Sequence, residues 1–449
     1  MGRDSRVSLA ASAFVRGLVI CGLTLTVPSG CSGEGTAPQP GLSPPAPPPP
    51  PPPSPPPPPA PTGDAIVVDV NTRYQTMQGF GVAVRVPSDP HLIGRFGGQE
   101  NSLQMPSAAE AEIMNELFVE LGLTRARMSL QHPPTFTPPY RTEWTYSDAH
   151  IDFVQKARTR GMTTWWFAPS TGVGTLGTPQ QYADWAMTVL RYWRAQGLAF
   201  PYWSILNEPY TGGPVSAEWV RDATKSLGAK LRAEGHTTKL VIPDGLNPAN
   251  AVTVGRVVLE DAEARQYVGV LSFHMYASPA DFYGVSAVRA LAEQYGLPLW
   301  MSEYSTTEGR LSPLEYGVLM HRLFVEHNVV AHDYMWGFFG DFDVSQLISV
   351  QSTGLTYNGY TIRPEYHVVG QWSKYVKPGA VRVRATSANA SLLVSAFRNP
   401  SGKLAVIVIN IGGAPASVTL PAGVWRCYVG PANCTTVFQP KTIQTYVEQ

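Results

Sequence analysis

Tyr202-Trp-Ser-Ile-Leu-Asn-Glu-Pro209 is a short apolar run that ends in a carboxylate, that of Glu208. A run of this length, followed at once by a turn residue, is typical of a buried strand. Leu297-Pro-Leu-Trp-Met-Ser-Glu-Tyr304 repeats the arrangement, with Glu303 as its carboxylate. Two carboxylates at the ends of buried strands predict acid/base chemistry.

Apolar runs alternate with amphipathic helices along most of the chain. The predicted strands are Met77 to Val84, Arg125 to Leu130, Thr163 to Ala168, Tyr202 to Leu206, Lys239 to Ile242, Val268 to His274, Leu297 to Ser302 and Val330 to Trp336. Helices with an apolar stripe are predicted between them, at 108–121, 148–160, 180–196, 217–234, 249–264, 286–295 and 313–327. This alternation predicts a (β/α)₈ barrel, in which functional groups lie at the C-terminal ends of the strands.

An open, doubly wound sheet is the alternative to the barrel. Gly79-Phe-Gly81 lacks the third Gly that a dinucleotide-binding loop needs, which favours the barrel. After a last helix at 364–376 the pattern becomes all-β, with strands predicted at 381–385, 391–396, 404–409, 416–420, 424–429 and 442–447. We therefore expect a β-sandwich after the barrel. The strand Ala65 to Val70, which precedes the barrel in the chain, is expected to pair with the sandwich.

The N-terminal region has the features of an export signal. Three Arg residues precede an apolar stretch at 17–27 that is too short to span a membrane. Val27-Pro-Ser-Gly-Cys31 is similar to the bacterial lipoprotein cleavage site, in which the Cys is acylated, but Pro28 stands where Leu is usual. Acylated and unmodified Cys31 are therefore both kept as alternatives. A nearly pure Pro segment then predicts a semi-rigid polyproline spacer. The expected organisation is an export signal at 1–30, the spacer at 31–62, the barrel at 63–376 and the sandwich at 377–449.

Charge and cysteine content limit the partners. Basic and acidic residues balance at 33 each, which argues against nucleic acid and favours a neutral substrate. No group of His or Cys has the spacing of a zinc site, and we expect neither a metal nor an organic cofactor. Cys427 and Cys434 are the pair outside the signal region and are predicted to form a disulfide in an oxidising compartment. Two free thiols are the alternative.

Four motifs together resemble glycoside hydrolase family 30, a member of the large clan of retaining (β/α)₈ glycosidases. They are Gln78-Gly-Phe-Gly81, Leu206-Asn-Glu-Pro209, Met301-Ser-Glu-Tyr304 and Gly370-Gln-Trp-Ser-Lys-Tyr-Val-Lys-Pro-Gly-Ala-Val-Arg-Val383. The last motif is the most specific, since Asn-Glu-Pro occurs in many families of the clan. The resemblance runs from about Ala65 to the C-terminus and implies a barrel fused to a β-sandwich that both ends of this region build.

The resemblance also implies a role for each matching residue. Glu208 would be the general acid/base, and Glu303 the nucleophile. Asn207 would bind the sugar 2-hydroxyl, and Arg127 would keep the nucleophile ionised. His274 and Tyr276 would form hydrogen bonds around the nucleophile, and Trp336 would be a platform for the sugar. Ordinary packing or pairing is the alternative for Arg127, His274 and Trp336.

Two departures from the family pattern leave the substrate open. Val82 and Val86 stand in a region where several branches have a sugar-binding Asp, and Ala168-Pro-Ser170 replaces the Ser-Pro-Trp of many members. Three long segments at 86–105, 131–146 and 338–360 are expected as loops that shape the cleft.

We expect a secreted monomer, held at a membrane if Cys31 is acylated, that cleaves a neutral polysaccharide or oligosaccharide with retention. Endo action on a xylan-like chain or on a β-1,6-linked glucan or galactan is the first interpretation. Another clan enzyme of cellulase or mannanase type is one alternative. A non-catalytic carbohydrate-binding surface protein is the other.

Overall fold

The computed structural model describes residues 65–86, 103–128, 144–169, 177–209, 215–276, 284–306, 311–428 and 437–449. The predicted export signal, Cys31, the polyproline spacer, Ser170 and Cys434 lie outside these ranges, as do most of the first two predicted loops. Within these ranges, no helix is both long and apolar enough to cross a membrane.

A closed barrel of parallel strands follows a first strand, β1 (Ile66–Thr76), that lies outside it. The barrel strands, in chain order, are β2 (Gly79–Val84), β3 (Arg125–Met128), β4 (Thr164–Phe167), β5 (Tyr202–Ser204), β6 (Lys239–Gly245), β7 (Val268–His274), β8 (Leu299–Tyr304) and β9 (Ala331–Tyr334). Pairing of β9 with β2 closes the barrel. The predicted fold class is confirmed.

Helices alternate with the barrel strands. They are α1 (Ser107–Asn115), α2 (Trp144–Arg158), α3 (Pro179–Ala195), α4 (Ala217–Ala233), α5 (Pro248–Glu260), the short α6 (Ala262–Arg265), α7 (Val285–Gln294) and α8 (Pro313–Val325). A π-helical turn, Glu116–Glu120, continues α1. α3 and α8 each begin with a capping box and have a Pro in the first turn. In the two capping boxes, the side chains of Thr178 and Ser312 accept a hydrogen bond from the backbone N–H three residues later. These local signals fix where both helices start.

Bulky side chains fill the barrel towards the N-terminal ends of its strands. Trp166 and Trp300 are fully buried there, with their ring centroids 5.8 Å apart. The guanidinium of Arg125 lies 3.9 Å from the ring centroid of Trp300 and donates two hydrogen bonds to Asp333, of 3.0 and 2.9 Å. Gly81 leaves the room for this pair, because a Cβ there would lie 2.1 Å from Asp333 Oδ1. This end of the barrel is therefore a packed layer.

The segment after the barrel corrects one prediction. Residues 338–360 were expected as a loop, but they contain most of a small sheet of three strands: β10 (Phe338–Gly340), β11 (Ile348–Thr353) and β12 (Thr356–Ile362). β11 pairs with β10 in parallel and with β12 in antiparallel. The sequence hides this sheet because β12, Thr-Tyr-Asn-Gly-Tyr-Thr-Ile, has no fully buried residue and no apolar alternation.

The C-terminal region, after α9 (Pro364–Ser373), is an antiparallel β-domain. Its strands are β13 (Val381–Ser387), β14 (Leu392–Arg398), β15 (Leu404–Asn410), β16 (Ala416–Ser417), β17 (Trp425–Cys427), β18 (Val437–Phe438) and β19 (Thr442–Glu448). One sheet has the order β1-β13-β14-β15-β19-β17, and β16 pairs with β18. The expected pairing of the N-terminal strand with this domain is confirmed, since β1 runs antiparallel to β13. Cys427 is disulfide-bonded, and its pairing with Cys434 stays a prediction.

Candidate active site

The two carboxylates meet at the C-terminal end of the barrel. Glu303 belongs to β8, and Glu208 lies four residues beyond β5, in a left-handed backbone conformation with φ of +47°. The backbone N–H of Glu208 donates to the carbonyl of Asp244 at 2.9 Å, which ties this turn to β6. An oxygen of each Glu and a ring nitrogen of His274 all lie within 4.8 Å of one another.

Glu303 is 5 % exposed and is contacted from two sides. Arg127 Nη1 lies 2.5 Å from its Oε2. On the other side, the hydroxyl of Tyr276 donates a hydrogen bond of 2.9 Å to its Oε1. A guanidinium and a hydroxyl donor thus hold this carboxylate in one orientation.

Arg127 connects several groups of the site. Its Nη2 lies 3.0 Å from Asp244 Oδ2 and also donates to Asn207 Oδ1. Burial lowers the pKa of Arg127, but the negative charges of Glu303 and Asp244 outweigh burial and raise the pKa above its usual value. Arg127 is therefore a fixed cation at the centre of the site.

His274, fully buried at the end of β7, lies between two carboxylates. Its Nδ1 lies 2.9 Å from Glu208 Oε1, and its Nε2 lies 3.1 Å from Asp244 Oδ1. Burial lowers the pKa of His274, but the charges of Glu303 and Asp244 outweigh this and raise the pKa to about 10. At neutral pH the ring is an imidazolium that donates from both nitrogens.

Asp244 belongs to the same network, although the sequence analysis assigned it no role. It is fully buried and accepts from Arg127, from His274 and, at 2.6 Å, from the hydroxyl of Ser302. Burial raises its pKa, but the charges of Arg127 and His274 outweigh burial and hold the pKa well below its usual range. Its place in Pro-Asp-Gly at the end of β6 was the available signal, because barrel strand ends carry functional groups.

Among the described residues, Glu208, His274 and Glu303 form a group whose ligand atoms are close enough to hold a metal ion. The chemistry of the donors fits a different use. A metal ligand must be a neutral imidazole with a free lone pair, whereas both ring nitrogens of His274 face carboxylates and its pKa is raised to about 10. The cation Arg127 also occupies one side of Glu303. The group is suited to proton transfer and nucleophilic attack.

Two Trp residues near the catalytic groups lie at different depths. Trp166 is fully buried, and Arg127 lies 5.3 Å from its ring centroid, so it supports Arg127 from below. Trp336, two residues after β9, is 6 % exposed. Phe339 stacks on the ring of Trp336 with a centroid distance of 5.1 Å, and the guanidinium of Arg85 lies 4.8 Å from its centroid. The structure brings Trp336 to the catalytic end, and its role as a sugar platform stays a prediction.

The comparisons with known proteins agree with this architecture. Residues 379–446 match the family model described as "Glycosyl hydrolase family 30 beta sandwich domain". A relative from Caenorhabditis elegans named "Putative glucosylceramidase 1" is 23 % identical over 421 residues, which cover 77 % of this chain and 76 % of the relative.

Two solved structures share the fold. The catalytic domain of the family 30 xylanase C from Talaromyces cellulolyticus superposes with a TM-score of 0.68 at 19 % identity, covering 86 % of this chain and 100 % of that one. An endo-β-1,6-glucanase superposes with a TM-score of 0.66 at 18 % identity, covering 87 % of this chain and 94 % of that one. Together with the family model, these comparisons confirm the resemblance to glycoside hydrolase family 30 and the prediction of a glycoside hydrolase.

Proposed function

We propose that this glycoside hydrolase of the family 30 type cleaves a β-linked polysaccharide with retention, using Glu303 as nucleophile and Glu208 as acid/base. The observation that carries the proposal is the distance between the two carboxylates, which bring oxygens within 4.8 Å of each other. Retaining glycosidases hold these groups about 5 Å apart, whereas inverting enzymes leave about 6.5–9.5 Å for a water molecule. The separation supports double displacement.

The first step forms a covalent glycosyl-enzyme. Glu303 attacks the anomeric carbon, the bond from that carbon to the leaving oxygen breaks, and Glu208 gives its proton to that oxygen. Glu303 is ready for this attack because Arg127 and Tyr276 fix its orientation. In the second step Glu208 takes a proton from water, whose oxygen attacks the anomeric carbon and releases Glu303.

The formal charges of the site balance through this step. Two cations, Arg127 and the imidazolium of His274, face the carboxylates of Asp244, Glu208 and Glu303. One proton on Glu208 makes the formal charge of the cluster zero. When Glu303 becomes an ester it loses its charge, while Glu208 gains one by giving up the proton. The cluster stays neutral through the step, and this avoids the cost of an uncompensated buried charge.

A neutral polysaccharide is a substrate that fits both the charge balance of this protein and the activities named for the solved structures with its fold. Acidic and basic residues balance at 33 each, so the overall charge does not select a charged polymer. The solved structures with this fold include a xylanase and an endo-β-1,6-glucanase. We infer endo action on a xylan-like or β-1,6-linked chain by an exported monomer, with acylation of Cys31 as its means of membrane attachment.

The test removes each carboxylate in turn. Glu208→Gln is expected to lower kcat by about 10²–10⁴, the usual contribution of a positioned acid/base group. Glu303→Gly should lose hydrolysis and regain turnover with azide, which takes the place of the missing nucleophile. Glu260→Gln, at an exposed position at the end of α5, is the control and should match the unmodified enzyme. NMR of the first product on xylan and on β-1,6-glucan should show the β-anomer. Full activity of either catalytic variant, or an α-anomer formed first, would refute the proposal.

A further inference from the structure

Three aromatic rings form a row on the segment that follows the last barrel strand. Trp336 stacks on Phe339 at a centroid distance of 5.1 Å, and Phe339 contacts Phe342 at 5.1 Å. Exposure rises along this aromatic row, from 6 % at Trp336 and 7 % at Phe339 to 51 % at Phe342. The row therefore leads from the protein interior to the surface.

The inner end of the aromatic row adjoins the catalytic groups. Trp336 follows Met335, whose sulfur lies 3.2 Å from the hydroxyl of Tyr276. That hydroxyl donates to Glu303 at 2.9 Å. The exposed ring of Phe342 is therefore connected to the nucleophile by a short series of direct contacts on the catalytic side of the barrel.

The turn that presents Phe342 is held on both sides. The backbone N–H of Asp341 donates to the carbonyl of Val350 in β11 at 2.9 Å, and that of Asp343 donates to the carbonyl of Gly340 at 3.1 Å. The carboxylate of Asp343 accepts from the N–H of Ser345 at 2.7 Å, which closes the turn. A turn held in this way loses little backbone freedom when a ligand covers the ring that it carries.

An exposed Phe is common on protein surfaces, but this one has features of a binding surface. Val344, on the same turn, is a second exposed apolar side chain, at 47 %. The exposed Asp341 stands beside Phe342 in the chain and offers a carboxylate acceptor to hydroxyl groups. An apolar face flanked by hydrogen-bond acceptors suits a neutral sugar ring, which has C–H faces and hydroxyl edges. The two acidic residues of the turn disfavour sugars that carry carboxylates.

We propose that Phe342 is a substrate-binding residue of a second sugar site, which holds a unit of a neutral β-linked chain away from the bond that is cleaved. This inference rests on the proposed function, because it assigns the aromatic row to the same substrate chain. A site of this kind increases affinity for long chains, since the same polymer then occupies two places.

The experiment varies chain length. The enzyme, Phe342→Ala and Phe342→Tyr are compared on β-1,4-xylo-oligosaccharides and β-1,6-gluco-oligosaccharides of increasing length. For Phe342→Ala, kcat/KM on the longest chains is expected to fall about fivefold, the scale of one aromatic contact, mainly through KM. The loss should shrink as the chain shortens, and Phe342→Tyr, which keeps the ring, should restore most of it. Val119→Ala is the control, because Val119 is also 51 % exposed but lies on the π-helical turn after α1.

A binding measurement separates failure of this inference from failure of the proposed function. Affinity electrophoresis in gels that contain xylan or β-1,6-glucan reports binding by Glu303→Gln without turnover. If adding Phe342→Ala reduces retention in such a gel, the second site is supported even where no hydrolysis is found. If the enzyme cleaves a chain substrate and Phe342→Ala matches it at every length, the inference is overturned while the proposed function stands. Equal retention of the two variants, or no retention of either, also overturns it.

Discussion

Arg125 and Arg127 stand two residues apart on β3 and both point into the barrel, where they are 1 % and 2 % exposed. Arg125 uses Nε and Nη2 on the two oxygens of one carboxylate, that of Asp333. Arg127 instead divides its donors among Glu303, Asp244 and Asn207, and its Nε is buried with no hydrogen-bond partner among the residues that the structure describes.

The difference shows that one strand places two Arg residues in different surroundings at two heights along the barrel axis. The Arg125 pair is closed, with each charge balanced by one partner, and Trp300 covers it. Around Arg127 the charges are shared, so the cluster can lose the charge of Glu303 and gain that of Glu208 without breaking up. A closed pair keeps both of its buried charges neutralised, and a shared cluster is free to take part in a reaction.

The largest effect is expected when the closed pair is broken. Arg125→Met leaves Asp333 buried without its partner and should lower the free energy of unfolding by about 3–5 kcal/mol. Urea denaturation followed by Trp fluorescence measures this. Arg125→Met combined with Asp333→Leu removes both charges and should regain most of the loss. If the single and double variants are equally unstable, the pair does not have the role assigned here.

Breaking the shared cluster should affect catalysis more than folding. Arg127→Met removes the cation that holds Glu303, and kcat/KM is expected to fall by about 10²–10³, the usual effect of losing one electrostatic contact in an active site. Steady-state kinetics on the chain substrate measures this, with circular dichroism to verify folding. Arg125→Met, assayed at a temperature where it is folded, is the matched control and should retain its turnover. Similar losses of turnover in the two variants would show that Arg125 and Arg127 do not differ in their importance for catalysis.

The smallest effect is a difference in pH dependence. The pKa of His274 is raised from about 6.5 to about 10, so the stability that its charge provides is complete below about pH 6.5 and is lost as the pH rises towards 10. The unmodified protein should therefore lose more unfolding free energy between pH 7 and pH 10 than His274→Gln does. Tyr276, which also faces this cluster, does not titrate in that window, because burial and the charge of Glu303 raise its pKa well above the usual value.

Urea denaturation at several pH values gives the two curves. Groups that titrate elsewhere in the molecule are common to both proteins and cancel in the comparison. Parallel curves would show that His274 is not a buried cation, and the shared cluster would then contain a single positive charge.

The sequence predicted the barrel because most of its strands are buried on both faces and therefore read as apolar runs, although β3 and β9 also carry charged residues. The carboxylates could be located because they follow two of those runs. The ends of the strands were predicted less accurately. β5 ends at Ser204, two residues before the predicted end, and Glu208 lies in the turn beyond it.

What the sequence did not show depends on long-range contacts. Asp244 has partners on β3, β7 and β8, and its place at a strand end does not by itself distinguish it from a turn residue. β12 is placed by its pairing with β11 and not by an apolar pattern of its own, so residues 338–360 resembled a loop. For the same reason the aromatic row could not be recognised, since its three rings come together only when this segment folds.

The pairing of β1 with β13 has a consequence for how the protein is made. Chains are synthesised at about 5–20 residues per second, so roughly 15–65 s separate the synthesis of Ile66 from that of Ser387, its partner. Until then β1 has no sheet to join, and Ile66 is the one residue of this strand that becomes fully buried. A largely polar strand of this kind resists pairing with other chains while it waits. A ribosome that stopped after the barrel would release a protein with an open strand edge, which cellular proteases and chaperones can recognise.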